Sequence, residues 1–408
     1  MPTEAHSEPR GDRPWAVRAA GWFDGRDGRP GPVLVVIDGG RITAVDTTGA
    51  PPATDLPVRD LGDVTVLPGL VDAHVHLAFD PAEPPERLAT VPEPVLLDRM
   101  AAHAQAHLAA GVTTVRDLGD RDFLALRLRE QLRASGAPAP EILASGPPLT
   151  RAGGHCWFLG GEADDQAALR RAVADHARRG VDVIKIMATG GAITPGFRTH
   201  ESQYQRTELT EVVEAAAAEG LGVTAHAHGG PGITDALAAG VAGLEHVSFF
   251  TADGIDVDWA TVDAIAAAGV HVGATEAALP EGDIRNPAVF AKLEQRSINF
   301  VRMHAAGVRL VCCSDAGVVP RKPHGVLAHG MVRLGRYGLA NPDALAAATS
   351  VAAEACGIAD RKGRLAPGYD ADLLIIDGDP LTDLTALHQV RAVYRAGQQA
   401  YAKPSPRA

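Results

Sequence analysis

Residues 65–77 read Thr-Val-Leu-Pro-Gly-Leu-Val-Asp-Ala-His-Val-His-Leu. An apolar strand pattern meets a Pro68-Gly69 turn signal, resumes, and delivers two histidines one residue apart. Side chains two apart on an extended strand leave from the same face. His74 and His76 therefore point one way together and Val75 the other. Two imidazoles converging at a strand end make half of a metal site.

Outward from this stretch the chain changes character. Before it, residues 1–14 form a Pro-, Arg- and acid-rich tail expected to be disordered. Short strands follow, separated by Gly, Pro and Asp: 16–21, 33–38, 41–45 and 64–67, with Gly39-Gly40 as a hairpin signal. After it, apolar strands alternate with Ala-rich helical patterns. The strands fall at 66–72, 112–118, 141–145, 181–187, 222–227, 243–247, 270–274 and 308–315. Several of the intervening helices stop at a glycine just before the next strand, among them Gly180 and Gly240. Successive strand–helix units predict an α/β chain built as a parallel (β/α)8 TIM-type barrel over 67–362. An open doubly wound sheet is the alternative, but its first strand usually leads into a Gly-rich dinucleotide loop, and histidines stand there instead. From Gly363 the β pattern returns, so 15–66 and 363–401 are expected to pair as one composite β-sandwich.

Composition narrows the function. Apolar residues at 46% and charged residues at 22% describe an ordinary globular chain of 408 residues. A net charge of −12 with no basic stripe argues against nucleic acid as a partner. No apolar run reaches the ~18 residues a membrane helix requires. The cysteines (156, 312, 313 and 356) form no CxxC pair and no secretory segment is evident, so the protein reads as cytoplasmic. The expected partners are a small-molecule substrate and further copies of the chain, as a homo-oligomer.

Catalytic residues of a barrel sit at the C-terminal ends of its strands. Those positions here hold His74 and His76, then Lys185, then His226 and His228, then Glu245-His246, and finally Ser314-Asp315. Any one has an ordinary explanation; histidines, a lysine and an aspartate at the same end of five strands do not. A charged lysine beside two metal ions would be expelled, so Lys185 must be neutral or chemically changed. A neutral amine that takes up carbon dioxide becomes an anionic, bidentate carbamate able to bridge two divalent ions. The donor set then suits two Zn2+.

These motifs resemble the amidohydrolase superfamily, and in particular the metal-dependent hydrolases related to imidazolonepropionase and the Xaa-Pro dipeptidases. The resemblance rests on Pro68-Gly69-Leu70-Val71-Asp72-Ala73-His74-Val75-His76, on 183–191 around Lys185, on Ala225-His226-Ala227-His228-Gly229, on Glu245-His246 and on Ser314-Asp315-Ala316-Gly317. It implies one metal on His74, His76 and Asp315, a second on His226 and His246, and carboxylated Lys185 between them. Spacing alone does not choose between His226 and His228; the family pattern favours His226. The implied reaction is attack of a metal-bridging hydroxide on an amide of a dipeptide (Xaa-Pro-like) or N-acyl amino acid, with Asp315 as base and then acid. The alternatives are a cyclic amide, carbamate, lactone or organophosphate ester as substrate, or a scaffold without activity. His155, Tyr204 and His329 are expected to line the substrate pocket. His103 and His107, four apart without the glutamate of HExxH, are expected on the surface.

Overall fold

The computed structural model describes residues 13–51, 55–194, 196, 198–280 and 287–404, so most of the expected N-terminal tail lies outside the described residues. The chain opens with β1 (Trp15–Phe23), β2 (Gly28–Asp38), β3 (Arg41–Asp46), β4 (Val58–Asp60) and β5 (Thr65–Pro68). Gly39 and Gly40 both take positive φ, 54° and 77°, which is the backbone a two-residue hairpin turn demands. They join β2 to β3 in antiparallel register, Asp38 opposite Arg41.

Alternation follows: β6 (Leu70–Val75), α1 (Glu93–Ala109), β7 (Val112–Asp117), α2 (Leu124–Ser135), β8 (Glu141–Ala144), α3 (Gln166–Arg179) and β9 (Ile184–Met187). The series continues with α4 (Arg206–Ala218), β10 (Val223–Ala227), α5 (Gly230–Ala239), β11 (Gly243–His246) and α6 (Trp259–Ala268). It closes with β12 (His271–Ala274), α7 (Pro287–Ala305), β13 (Arg309–Cys312), α8 (Leu327–Arg336), α9 (Asn341–Ala346) and α10 (Ser350–Ala355). The last strands are β14 (Leu373–Ile376), β15 (Val390–Arg395) and β16 (Gln398–Ala402).

Strands β6, β7 and β8 form one parallel sheet, and β9 to β13, in sequence order, form another. The two sheets touch at both edges. At one, Leu149 bridges Ile186 in parallel, with Leu149 N donating to Lys185 O at 2.8 Å. At the other, Val75 bridges Ala316, and Asp315 N donates to His74 O at 2.7 Å. The fold is α/β with every β6–β13 strand buried along nearly its whole length, as parallel strands covered by helices require.

The terminal strands join in one eight-stranded sheet, ordered β16-β15-β14-β5-β1-β2-β3 with β4 alongside β1. The join is β14 against β5, antiparallel, from Leu373 opposite Pro68 to Ile376 opposite Thr65. The continuous strand expected over 66–72 is split: β5 belongs to the terminal sheet and β6 to the parallel one. Gly69 is the switch, because a Cβ there would meet the Thr113 side chain at 2.2 Å. Among the described residues no helix is long and apolar enough to cross a membrane.

Candidate metal centre

Parallel pairing brings the expected residues to one end of the strands. His74 is 1% and Lys185 1% exposed, in a cavity of about 180 Å3 whose wall also holds His76, His226, His228, His246 and Asp315. Two groups stand out: His74, His76 and Asp315, and then His226, His228 and His246, each with its donor atoms within 4.8 Å of one another.

The side-chain partners fix which ring nitrogen each histidine presents. His74 Nδ1 donates to Glu245 Oε2 at 2.8 Å, and His76 Nδ1 donates to the Gly119 carbonyl at 3.1 Å. Both rings thereby turn Nε2 toward Asp315 Oδ1, at 3.5 and 3.4 Å. His226 instead donates from Nε2 to the Gly190 carbonyl at 3.0 Å, which leaves its Nδ1 as the electron-pair donor. His228 and His246 engage Ser248 and Thr275 hydroxyls through Nδ1, each at 3.0 Å. Burial lowers the pKa of His74 to about 4 and of His228 to about 3, so these imidazoles are neutral, the form that binds metal. His246 and Asp315 hold left-handed backbone, φ 75° and 55°. Such strain in non-glycine residues persists where the surroundings over-determine a functional geometry.

Lys185 rises from β9 with its Nζ buried and, among the described residues, without a hydrogen-bond partner. Burial brings its pKa down to about 8. An orphaned buried amine beside two groups of electron-pair donors fits a site that takes divalent ions. Asp315 is held ionised, well below the usual carboxylate range: burial works against this, but His76 and His74 outweigh it.

The same geometry exposes residues that the motif reading passed over. Glu245 is 1% exposed and accepts from His74, from Thr224 Oγ1 at 2.7 Å and from Arg116 Nη2 at 3.2 Å. Lys322 donates to the Thr275 and Ser314 carbonyls at 2.8 and 2.7 Å and stands 4.0 Å from Asp315 Oδ2. Arg296 lines the same wall, anchored to Glu276 at 2.7 Å. Only the pairing Glu245-His246 in the sequence hinted at any of this.

Of the three pocket expectations, the structure brings one to the cavity. His155 lines it, its ring centroid 4.7 Å from that of His226. Tyr204 does not: its hydroxyl donates to the Ala163 carbonyl at 2.8 Å, with the ring under Arg151. His329 lies on α8 against His388, 4.3 Å between centroids, outside the cavity wall. The expected surface pair is also corrected. His107 is fully buried, its Nε2 3.2 Å from His324 Nδ1, and His103 stacks on His324 at 3.8 Å.

Residues 65–400 match the model of the amidohydrolase family. The chain belongs to that family. Ochratoxinase of Aspergillus niger is 27% identical over 368 residues, covering 80% of this amidohydrolase and 73% of the relative. Imidazolonepropionase of Salinispora tropica is 28% identical over 366 residues, 84% and 85% of the two chains. The structure of a Xaa-Pro dipeptidase with bound methionine superposes with a TM-score of 0.82 at 27% identity, over 96% of this chain and all of that one. The protein is an enzyme, an amidohydrolase acting on carbon–nitrogen bonds, of a family that binds divalent metals.

Proposed function

We propose a binuclear zinc hydrolase that cleaves the amide of a dipeptide or N-acyl amino acid. The observation that carries it is the orphaned Lys185 Nζ beside the two histidine groups. One ion would be held by His74, His76 and Asp315, the other by His226 and His246, with Lys185 as a carbamate between them. The names of the relatives, an ochratoxinase and a Xaa-Pro dipeptidase, support an amide as the bond. In the same reading the two parallel sheets close as one eight-stranded barrel, supported by the bridges at both edges. The terminal sheet folds on itself as a sandwich; a separate apolar core from Trp15 to Tyr394 supports it. The barrel spans 67–362, flanked by 15–66 and 363–401. Four free cysteines support a reducing, cytoplasmic setting.

Divalent ions at this site would lower the pKa of a bound water and polarise the scissile carbonyl. The chain supplies the rest. Asp315 starts ionised and so takes the proton of the attacking water, then returns it to the departing amine. Lys322, tied to two backbone carbonyls, holds its amine end beside Asp315, with burial lowering its pKa. Phe79, Met187, Ile193, Phe250 and Val318 line the cavity and hold the substrate's apolar part out of water.

Two measurements test the proposal. Protein purified without chelator should carry two equivalents of zinc per chain, and Lys185→Ala should lose most of it. The zinc-loaded enzyme should turn over members of a dipeptide and N-acyl amino acid panel. Near-zero bound metal, or turnover of lactones with none of any amide, would overturn it.

A further inference from the structure

An outer pocket of about 420 Å3 adjoins the metal cavity and shares two wall residues with it, Thr199 and Phe250. The Phe250 ring stacks on His228 at 5.3 Å, so the two spaces meet beside one of the histidine groups. The loop that forms the outer wall is clamped to the strand ends. The His200 carbonyl lies so close over Gly229, just past β10, that a Cβ there would stand 2.3 Å from it. The Arg198 carbonyl covers Gly190, just past β9, in the same way at 2.4 Å, and Gly190 N donates to the Glu201 carbonyl at 2.9 Å.

The charges on this wall are one-sided. Arg198, His200 and Lys292 line it, and among the described residues no carboxylate does. Arg198 leans toward Glu201 at 3.7 Å, so its charge is answered in part. Arg296 lies four residues after Lys292 on α7, hence on the same helix face, and lines the inner cavity. It is taken up by Glu276 at 2.7 Å. Lys292 differs from both. It is exposed at the outer pocket, and among the described residues its ammonium has neither an ion pair nor a hydrogen bond.

We propose that the outer pocket is a substrate subsite for a carboxylate, read by Lys292: the substrate carries an anionic group on the part that extends past Phe250. This rests on the amide hydrolysis proposed above and narrows its substrate class. An ammonium on a flexible stem offers three rotatable donors and needs no fixed fork geometry, which suits the mobile end of a substrate. An exposed pair of this kind is weak and screened by salt, so it shifts binding by a few-fold rather than by decades.

The test is steady-state kinetics of the full-length, zinc-loaded protein on matched pairs that differ in one charge. The pairs are Ala-Glu against Ala-Gln, Glu-Ala against Gln-Ala, and Ala-Leu against its C-terminal amide. In one pair the carboxylate member should have a KM about three- to tenfold lower at similar kcat, because the group lies away from the scissile bond. The pair that shows this identifies the carboxylate. Lys292→Gln, on an exposed helix face, should bring both members of that pair to the same KM, and Lys292→Glu should reverse their order. Equal KM values within every pair, or a preference that survives Lys292→Gln, overturns the proposal. If no pair is hydrolysed, the amide reading fails instead, and calorimetric titration of the same uncleaved pairs still decides whether Lys292 selects the charged member.

Discussion

His74 Nδ1 and Glu245 Oε2 lie 2.8 Å apart, both side chains at most 2% exposed, with Arg116 holding the far carboxylate oxygen at 3.2 Å. The carboxylate fixes the ring so that Nε2 faces the cavity, and it raises the basicity of that nitrogen. Burial by itself would push Glu245 up; His74 and Arg116 hold it ionised. Glu245→Gln keeps the shape and removes the charge. Metal affinity should fall about 10- to 100-fold, the usual cost of such a partner. Chelator competition measures it; an unchanged affinity would show that Glu245 merely packs.

Gly273 on β12 backs this arrangement. A Cβ there would stand 2.0 Å from Glu245 Oε2. Gly273→Ala should therefore displace the carboxylate and reproduce much of the Glu245→Gln loss in metal affinity. If the alanine variant binds metal normally, Glu245 has room that the packing denies it.

The alternation of strands and helices was legible because each element carries its own period and its own stop signal, as Gly180 shows at the end of α3 with φ 80°. The gathering of His74, His76, Lys185, His226, His246 and Asp315 around one cavity was legible because the parallel fold assigns strand ends to one place. What stayed hidden depends on partners remote in the chain. Tyr204 is taken up by Ala163, 41 residues away, and His107 is buried against His324, 217 residues away. No local pattern encodes either. Strands β4 and β16 are short or half-exposed, so they lack the apolar run that marks a strand.

Acid stability should depend on Glu141. Burial raises its pKa, but Arg361 and Lys362 outweigh that and bring it from 4.5 to about 2. A folded-state pKa below the unfolded value adds stability that is complete above about pH 4.5 and fades as pH falls toward 2. The contribution is roughly 3 kcal/mol. Denaturant unfolding at stepped pH should show this decline, and Glu141→Gln should be less stable at pH 7 with a flatter acid limb. Parallel curves for the two proteins would contradict the assignment.

Asp315→Asn leaves the backbone bond from residue 315 to the His74 carbonyl intact, so folding should be retained. It removes the carboxylate proposed to move the proton, and kcat should drop at least ~100-fold. Circular dichroism and a thermal melt alongside steady-state kinetics separate the two effects. Wild-type turnover in this variant would assign the proton transfer to another residue.

His155 makes a different prediction, because it lines the cavity without belonging to either donor group. Its Nδ1 is 2.9 Å from Thr194 Oγ1, which also accepts from Cys156 N at 3.0 Å, so the ring is held by a short loop lock. Burial lowers its pKa to about 3, which makes it a neutral hydrogen-bonding group at working pH. His155→Ala should leave metal content at the wild-type level while kcat/KM falls by one to two decades, about what one lost hydrogen bond to a reacting or binding oxygen costs. Thr194→Val frees the ring and should give a smaller loss of the same kind. Loss of metal in His155→Ala would instead make it a support for His226, whose ring it faces at 4.7 Å.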